Sequence, residues 1–463
     1  MRTFACAVAA AYLTSLAGGA ALAAPAPTTT PAPATAPAPA STPAAAPAPA
    51  PTAAPAAAPA PSSTSRQIVV AFANQPQPLG TAAGSTGTRY TGGGYTVAQS
   101  AQREARRIAS EYALREVVSW PIQVLSMHCV VFEIKSDRPA AEVLAALAHD
   151  PRVALAQPLQ EFHTLTDAGT DAGTASDAAS AAAATYNDPL YDLQANLTAL
   201  GIARAHERTQ GAGVHIALID TAVDTSHPDL GGRIAPAHSF VAPQTAPSAS
   251  LRHGTAVAGV IAAVPNNHIG IVGIAPLARL EVFAGCWQLA PSSDAAACNT
   301  FTLARALAAA LASGASLVNL SLAGPADPLL DALVRAGLKR GITFVAAAAG
   351  SDAPFPTAIP GVITASGTES PQPAGAFTVP AQRVLTLRPG GEYDFESGSS
   401  IAAAEVTGVI ALLMSASAVH LTPASISLLL GGDSRSARES SAVDVNAALA
   451  RLEGGVVAAR SAH

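Results

Sequence analysis

Residues 397–414 have the sequence SGSSIAAAEVTGVIALLM, which predicts a serine at the start of a buried helix. Apolar residues recur at helical spacing through this stretch, and Gly398, Ser399 and Ser400 precede them. A serine placed there has its hydroxyl at the positive end of the helix dipole, and we expect that hydroxyl to be accessible rather than buried. The simpler interpretation is that these residues only cap the helix. The rest of the chain decides between the two.

Two other stretches place an aspartate and a histidine next to apolar or small residues, as Ser400 is placed. LIDTAVDTSHPDL places Asp220 at the end of a short apolar strand, and HGTAVAGVIAA places His253 at the head of a small-residue helix. A serine is a poor nucleophile unless an adjacent base accepts its proton. A histidine is such a base, and an aspartate fixes its tautomer and stabilises the imidazolium. We therefore predict a catalytic triad of Asp220, His253 and Ser400.

With these motifs in the order Asp, His, Ser, the chain resembles the subtilases, the subtilisin-like serine proteases. The family pattern around the nucleophile is G-T-S-M-A-x-P-x-V-x-G. It is matched at five positions, namely Gly398, Ser400, Ala402, Val406 and Gly408. Three family residues are replaced, by Ser399, Ile401 and Ala404. The resemblance covers roughly residues 187–452 and implies a secreted endopeptidase, made as a zymogen, that acts on polypeptides.

Two further motifs resemble the family's substrate-binding parts, each with a departure. NLSLAGP, residues 319–325, resembles the strand N-x-S-x-G-G, along which a substrate backbone lies as an added β-partner. It supplies the predicted substrate-binding residues Ser321, Leu322, Ala323 and Gly324, and Ala323 replaces a glycine. AAAAGSDAP has Ser351 where the family usually has an asparagine that donates to the oxyanion. Because a hydroxyl reaches less far than an amide, we expect a slow enzyme.

The resemblance also implies a calcium site. Its side chains would be Asp188, Asp229 and Asn267, joined by carbonyl oxygens near Pro265, Ile269 and Ile271. Oxygen ligands of this number suit Ca²⁺. Ordinary turn chemistry is the alternative, since Asn-Asp-Pro and Pro-Asn-Asn are common in turns.

The four cysteines are too few for a disulfide framework. Cys6 lies in the predicted signal and Cys129 in the upstream domain, which leaves Cys286 and Cys298 to close a short loop. In an oxidising compartment we expect that disulfide, and two separately buried thiols are the alternative. No C-x-x-C spacing predicts zinc. The formal net charge of −6 gives no basic footprint for nucleic acid.

The N-terminal part predicts export. Residues 1–23 have an early arginine, a modest apolar stretch and a small-x-small end, as a secretory signal does. Residues 24–65 are almost entirely Ala, Pro, Ser and Thr and predict a semi-rigid linker. No later run reaches transmembrane length, so we expect a periplasmic, cell-surface or secreted protein without a membrane span after signal removal.

Residues 66–163 predict a small α+β domain with the element order βαββαβ, which fits a ferredoxin-like fold. Its position and its ending, DPRVALAQPLQEFHTL, resemble the inhibitory propeptide of subtilases, whose tail stays in the active-site cleft. Residues 164–186 predict a flexible linker in which processing occurs. A generic small domain without inhibitory function is the alternative.

Residues 187–463 predict the catalytic domain. Continuous apolar strands alternate with helices, a pattern typical of an α/β fold with a doubly wound parallel sheet covered on both faces. Active residues of such folds lie at the carboxyl ends of the strands, where Asp220 and Ser351 fall. Two other functions remain open. One is a weak or inactive protease that acts as a binding protein after self-processing; the other is an α/β-hydrolase esterase, against which the missing G-x-S-x-G argues.

Overall fold

The structure is a computed structural model, and it describes residues 66–74, 97–166, 186–242, 251–290, 293–370, 373–431 and 441–455. The predicted signal (1–23), the Ala/Pro-rich linker (24–65) and most of the second linker lie outside the described residues, as does Cys6.

The upstream domain is an antiparallel sheet covered on one face by two helices. Its elements are β1 (Gln67–Ala73), α1 (Gln99–Glu111), β2 (Leu114–Ile122), β3 (Met127–Ile134), α2 (Ala140–Ala148) and β4 (Leu155–Pro158), with the strands ordered β2-β3-β1-β4. The observed order of elements is the predicted one. Alternate residues of β1, among them Ile68 and Phe72, are buried with Ile108 and Leu147 of the helices.

A parallel α/β sheet forms the centre of the second domain. Its strands are β6 (His215–Asp220), β7 (His238–Ser239), β8 (Arg279–Ala284), β11 (Leu317–Leu320), β13 (Thr343–Ala347), β14 (Ile363–Gly367), β15 (Phe377–Val379) and β18 (Ser441–Ala442). In the described part of the chain they are ordered β18-β15-β14-β13-β11-β6-β8-β7, and each pairing is parallel. This confirms the predicted fold class.

Helices cover both faces of this sheet. They are α3 (Ala195–Leu200), α4 (Ile202–His206), α5 (Arg252–Ala262), α6 (Thr300–Ala312), α7 (Pro328–Leu338), α8 (Ser399–Ala416), α9 (Pro423–Gly431) and α10 (Val445–Glu453). Alternate residues of β6 enter two cores: Ile216 and Leu218 lie with α5 and α8, whereas Ala217 and Ile219 lie with α6 and α7. Burial on both faces explains why the strands are apolar throughout.

The expectation that no later run reaches transmembrane length is wrong by length and composition: α8 is long and apolar enough to cross a membrane, but most of it lies inside the fold. Its predicted start is confirmed, since the helix begins at Ser399 after Gly398. The α5 helix begins at Arg252, three residues before the predicted start at Thr255, so that His253 belongs to its first turn.

The upstream sheet packs with its other face on α6 and α7. Trp120 of β2 lies edge-on to Phe301, with 4.8 Å between ring centroids. Leu329 N, at the start of α7, donates to the side-chain oxygen of Gln157 at 3.1 Å. Apolar burial and a shared helix cap therefore hold the two domains together.

A short antiparallel sheet completes the junction. It contains β9 (Cys286–Gln288), β10 (Ala296–Asn299) and β12 (Leu322–Ala323), and the upstream domain contributes β5 (Glu161–Thr164) in the order β12-β5-β10-β9. The pairing continues through Thr164, one residue beyond the expected domain boundary. A separate hairpin, β16 (Val384–Arg388) and β17 (Glu392–Glu396), leads into α8.

Candidate active site

Asp220 and His253 are in direct contact at the carboxyl end of β6. His253 Nδ1 lies 2.7 Å from Asp220 Oδ1, and both side chains are almost fully buried. Gly254 lets the first turn of α5 pack against the backbone that follows Asp220, since a Cβ at this position would lie 2.6 Å from the Ala222 carbonyl oxygen. Burial disfavours the imidazolium, but the adjacent Asp220 carboxylate outweighs it and raises the pKa of His253.

Ser400 lies in the first turn of α8 and is covered by the end of the upstream domain. Ser400 N donates to Leu165 O at 3.0 Å, and Leu165 N donates to Ser400 Oγ at 2.9 Å. The hydroxyl itself donates to Ser321 O at 3.0 Å. Our expectation of an accessible hydroxyl is therefore wrong for the chain that still carries its upstream domain. Ser400 is completely buried because Leu165 lies over it.

His253 and Ser400 do not share a hydrogen bond in this form. Among the described residues His253 Nε2 is buried without a hydrogen-bond partner, while Ser400 Oγ is engaged with Leu165 and Ser321. Catalytic hydrogen bonds are often long or misaligned until substrate is bound productively. The structure thus joins Asp220 to His253 and places Ser400 against a peptide segment.

The predicted substrate strand is occupied by β5. Leu322 pairs with Thr164 and Ala323 with His163 in an antiparallel ladder, so the extra methyl group of Ala323 does not prevent strand addition. Ser321 Oγ donates to Ser400 O at 3.0 Å, which ties this strand to the start of α8.

Gly324 creates space for an aromatic side chain of the tail. Phe162 is fully buried there and lies edge-on to Phe355, with 5.4 Å between ring centroids. A Cβ on Gly324 would lie only 2.3 Å from the Phe162 ring. An aromatic residue three positions before Leu165 thus fills a closed pocket.

A cleft of about 580 Å³ surrounds the end of the tail. It is lined by Thr164, Leu165, Thr166, Ala348, Ala349, Gly350, Ser351, Ser366, Ser370, Pro373 and Ser399. Ser351 is exposed and makes no hydrogen bond to the described residues. The Leu165 carbonyl oxygen therefore accepts a hydrogen bond from Ser400 N–H and none from the Ser351 hydroxyl.

The three residues predicted to bind calcium converge on one loop. Asp188 accepts from Asn266 N at 2.7 Å and Asn267 N at 3.2 Å, while Asp229 accepts from Asn267 Nδ2 and Ile271 N, each at 2.8 Å. Both carboxylates are buried, and none of the ion pairs in the described ranges involves them. Burial raises the pKa of Asp229, as does nearby Asp188.

These residues offer oxygen atoms of the kind that Ca²⁺ prefers, although each carboxylate oxygen accepts an N–H in this structure. Two buried carboxylates without a cationic partner are costly unless a cation is bound, and oxygen ligands are what Ca²⁺ prefers. Asn267 donates from its amide nitrogen to Asp229, and its Oδ1 accepts from Ile269 N at 2.9 Å. Its amide group would have to rotate to offer that oxygen to an ion. No cluster of three or more His, Cys, Asp or Glu suited to a metal occurs among the residues described.

The predicted disulfide is present. Cys286 and Cys298 are bonded between the neighbouring strands β9 and β10. Cys129 is a buried free thiol of the upstream sheet. The sequence analysis did not predict that Leu165 would contact Ser400 or that Phe162 would pack against Gly324. The apolar residues of LQEFHTL could have indicated that this tail has buried side chains.

Comparison with known proteins agrees with this geometry. Residues 211–446 match the Subtilase family. Thermitase of Thermoactinomyces vulgaris is 31% identical over 246 residues, which cover 50% of this chain and 86% of thermitase. Subtilisin E of Bacillus subtilis (strain 168) is 31% identical over 225 residues, covering 44% of this chain and 56% of that protein.

The fold has a solved counterpart. Fervidolysin from Fervidobacterium pennivorans, described as a keratinolytic enzyme related to subtilisin, aligns with a TM-score of 0.62 and 21% identity. The alignment covers 83% of this chain and 60% of fervidolysin, and it supports the fold alone. From the family match and the thermitase relationship, the chain belongs to the subtilase family of serine endopeptidases.

Proposed function

We propose that this chain is exported as a zymogen and that Ser400 hydrolyses a peptide bond in its own chain before it acts on other polypeptides. One observation carries the proposal: Ser400 N donates to Leu165 O at 3.0 Å, in a domain where Asp220 holds His253. A backbone N–H aimed at a carbonyl oxygen is the donor arrangement that acyl transfer requires.

In the reaction, Ser400 Oγ bonds to the carbonyl carbon of Leu165 as His253 Nε2 accepts its proton. Asp220 stabilises the resulting imidazolium. The oxyanion accepts a hydrogen bond from Ser400 N–H, and the Ser351 hydroxyl contributes directly or through a water. His253 then protonates the nitrogen of Thr166 as the Leu165–Thr166 bond breaks, and water releases the acyl group by the reverse steps. The hydroxyl, now donating to Ser321 O, must first turn toward His253.

The upstream domain acts as an intramolecular inhibitor. Its tail forms β-strand pairs with the substrate strand, and Leu165 covers the nucleophile. Processing at Leu165–Thr166 falls inside the expected linker, residues 164–186. After the cut, the contacts of Trp120 and Gln157 with α6 and α7 keep the domain bound as a product inhibitor.

The same contacts define the preferred substrate. A polypeptide would bind as an added strand, with leucine on the carbonyl side of the cut bond and an aromatic residue three positions upstream. The closed pocket around Phe162 supports the second preference, because a buried aromatic side chain contributes a large apolar area.

We also propose that Asp188, Asp229 and Asn267 hold a structural calcium ion. The ion would balance two buried carboxylates and fix the N-terminal arm of the domain to the loop at residues 265–271. It takes no part in the chemistry.

Export to an oxidising compartment is consistent with the bonded pair Cys286 and Cys298. The predicted signal would direct the chain to the periplasm, cell surface or medium.

The function is tested by comparing Ser400→Ala with the neighbouring Ser399→Ala in a protease-deficient host. We expect Ser400→Ala to accumulate as a full-length precursor, whereas Ser399→Ala matures to a chain that begins at Thr166. Normal processing of Ser400→Ala would refute self-cleavage. A mature chain that neither reacts with a fluorophosphonate probe nor cleaves peptides would favour a binding protein instead.

A further inference from the structure

The hairpin β9–β10 borders the tail strand β5 on the side opposite β12. Ala297 pairs with His163 in an antiparallel ladder, and Ala296 N donates to Thr164 Oγ1 at 3.0 Å. In the described sheet β9 pairs with β10, and the hairpin is joined to β12 only through β5. Once the tail leaves, β10 is therefore an open strand edge, to which a polypeptide can add as a new strand.

The two ends of this hairpin are held in different ways. Along the strands, apolar packing and the disulfide between Cys286 and Cys298 hold it. Among the described residues of the turn at 289–295, Asp294 provides the hydrogen bonds to the rest of the domain. Arg252 Nε donates to Asp294 Oδ1 at 2.9 Å, and Arg388 donates to the same oxygen. The disulfide joins two strands of one hairpin, so it does not fix the turn relative to the catalytic residues.

Both partners of Asp294 belong to well-fixed parts of the site. Arg252 directly precedes His253 in α5. Arg388 ends β16, is 6% exposed and lies 2.6 Å from Glu396 Oε1. Burial acts to raise the pKa of Asp294, but the hydrogen bonds from Arg388 and Arg252 outweigh it and hold that pKa below its ordinary value. Asp294 is therefore ionised at neutral pH, and its hydrogen bonds are charge-assisted.

We propose that Asp294 is a positioning residue for the substrate: it holds the turn of the hairpin β9–β10 in place, so that β10 is ready to pair with the two residues that precede leucine. The inference rests on the proposed function, in which a polypeptide takes the place of the tail. A strand that is already ordered costs less free energy to bind than one that must be ordered during binding. Because this pairing is the same before and in the transition state, it should act on KM rather than on kcat.

The test compares two substrates of the self-processed enzyme. The long one has Glu-Phe-His-Thr-Leu, the sequence of residues 161–165, before the cut bond, and the short one has an acylated leucine alone. We expect Asp294→Ala to raise KM for the long substrate about fivefold, the contribution of one hydrogen bond, and to leave kcat unchanged. The short substrate does not reach β10, so its kinetics should remain those of the wild type.

Two variants serve as controls. Asp394→Ala removes a different carboxylate from Arg388, which donates to Asp394 Oδ2 at 3.2 Å, and should leave KM unchanged because Asp394 belongs to β17. Asp294→Glu keeps the carboxylate and should restore most of the affinity that alanine loses. An equal loss on both substrates, or an equal rise of KM in Asp394→Ala, overturns the inference.

If Asp294→Ala does not fold, Arg252→Gln replaces it, since it removes one of the two partners. KM for the long substrate must then rise relative to KM for the short one, and an unchanged ratio overturns the inference.

Hydrogen exchange tests the same contact without catalysis. In the Ser400→Ala precursor, the amides of residues 296–299 should exchange faster when Asp294→Ala is added, because β10 is then held less firmly. Unchanged exchange overturns the inference. A wild-type protein that neither hydrolyses peptides nor reacts with a fluorophosphonate refutes the proposed function, and the exchange rates then still decide whether Asp294 holds the hairpin.

Discussion

Replacing Ser351 by asparagine should raise kcat. The Leu165 carbonyl oxygen has one backbone donor, Ser400 N, at 3.0 Å. Ser351 lines the same cleft but makes no hydrogen bond to the described residues. An oxyanion needs donors at about 2.7 to 3.1 Å, and an asparagine amide extends further from its backbone than a serine hydroxyl does.

The magnitude follows from the value of one donor. Removing one oxyanion donor from subtilisin costs about 10²- to 10³-fold in kcat, or about 2.7 to 4 kcal/mol. Ser351→Asn should recover part of this, so we expect a rise of about tenfold or more. The gain should appear in kcat more than in KM, because the charge on oxygen exists only in the transition state.

The assay is steady-state hydrolysis by the mature enzyme of a peptide with leucine before the cut bond and phenylalanine three positions upstream. Ser351→Ala is the matched control. We expect the alanine variant to lose much less than the roughly 10²-fold in kcat that a well-placed oxyanion donor is worth, because the hydroxyl reaches the oxyanion poorly. If asparagine leaves kcat unchanged while alanine lowers it strongly, the site is built around the hydroxyl and the reasoning fails.

Two other predictions concern the substrate pocket and the loop at residues 265–271. Gly324→Ala should lower kcat/KM for peptides with an aromatic residue at the upstream position by about tenfold, since overpacking costs about 1 to 3 kcal/mol, and should affect peptides with alanine there much less. Equal losses on both peptides would contradict the pocket assignment. Calcium at 100 times its Kd should stabilise the mature enzyme by about 2.7 kcal/mol, measured as a rise in Tm over chelator. Asp229→Asn should abolish that rise, and an unchanged Tm in wild type would exclude the site.

The sequence alone was enough for the order and type of most elements. The strand ending at Asp220 is apolar throughout, and the helix after Gly398 has clear periodicity, because burial on one or two faces imposes its pattern on adjacent residues. Cys286 and Cys298 were the remaining pair once the other cysteines were assigned, and the structure joins them.

Several features of the site were decided only by the tertiary structure. Leu165 meets Ser400, Phe162 fills the space beside Gly324, and the buried serine is a consequence of this packing. Such contacts join residues more than a hundred positions apart, so no local periodicity encodes them.

The ion pairs around Arg388 also could not be predicted from local sequence. Arg252, Asp294, Arg388 and Glu396 are ordinary surface-type residues in the sequence, and only the folded chain joins them in one ion-pair network. Local sequence determines which segments are buried, since burial leaves a repeating pattern. Which charges share a buried environment depends on how distant segments meet, and that was fixed by the packing of the hairpin β16–β17 against the start of α5.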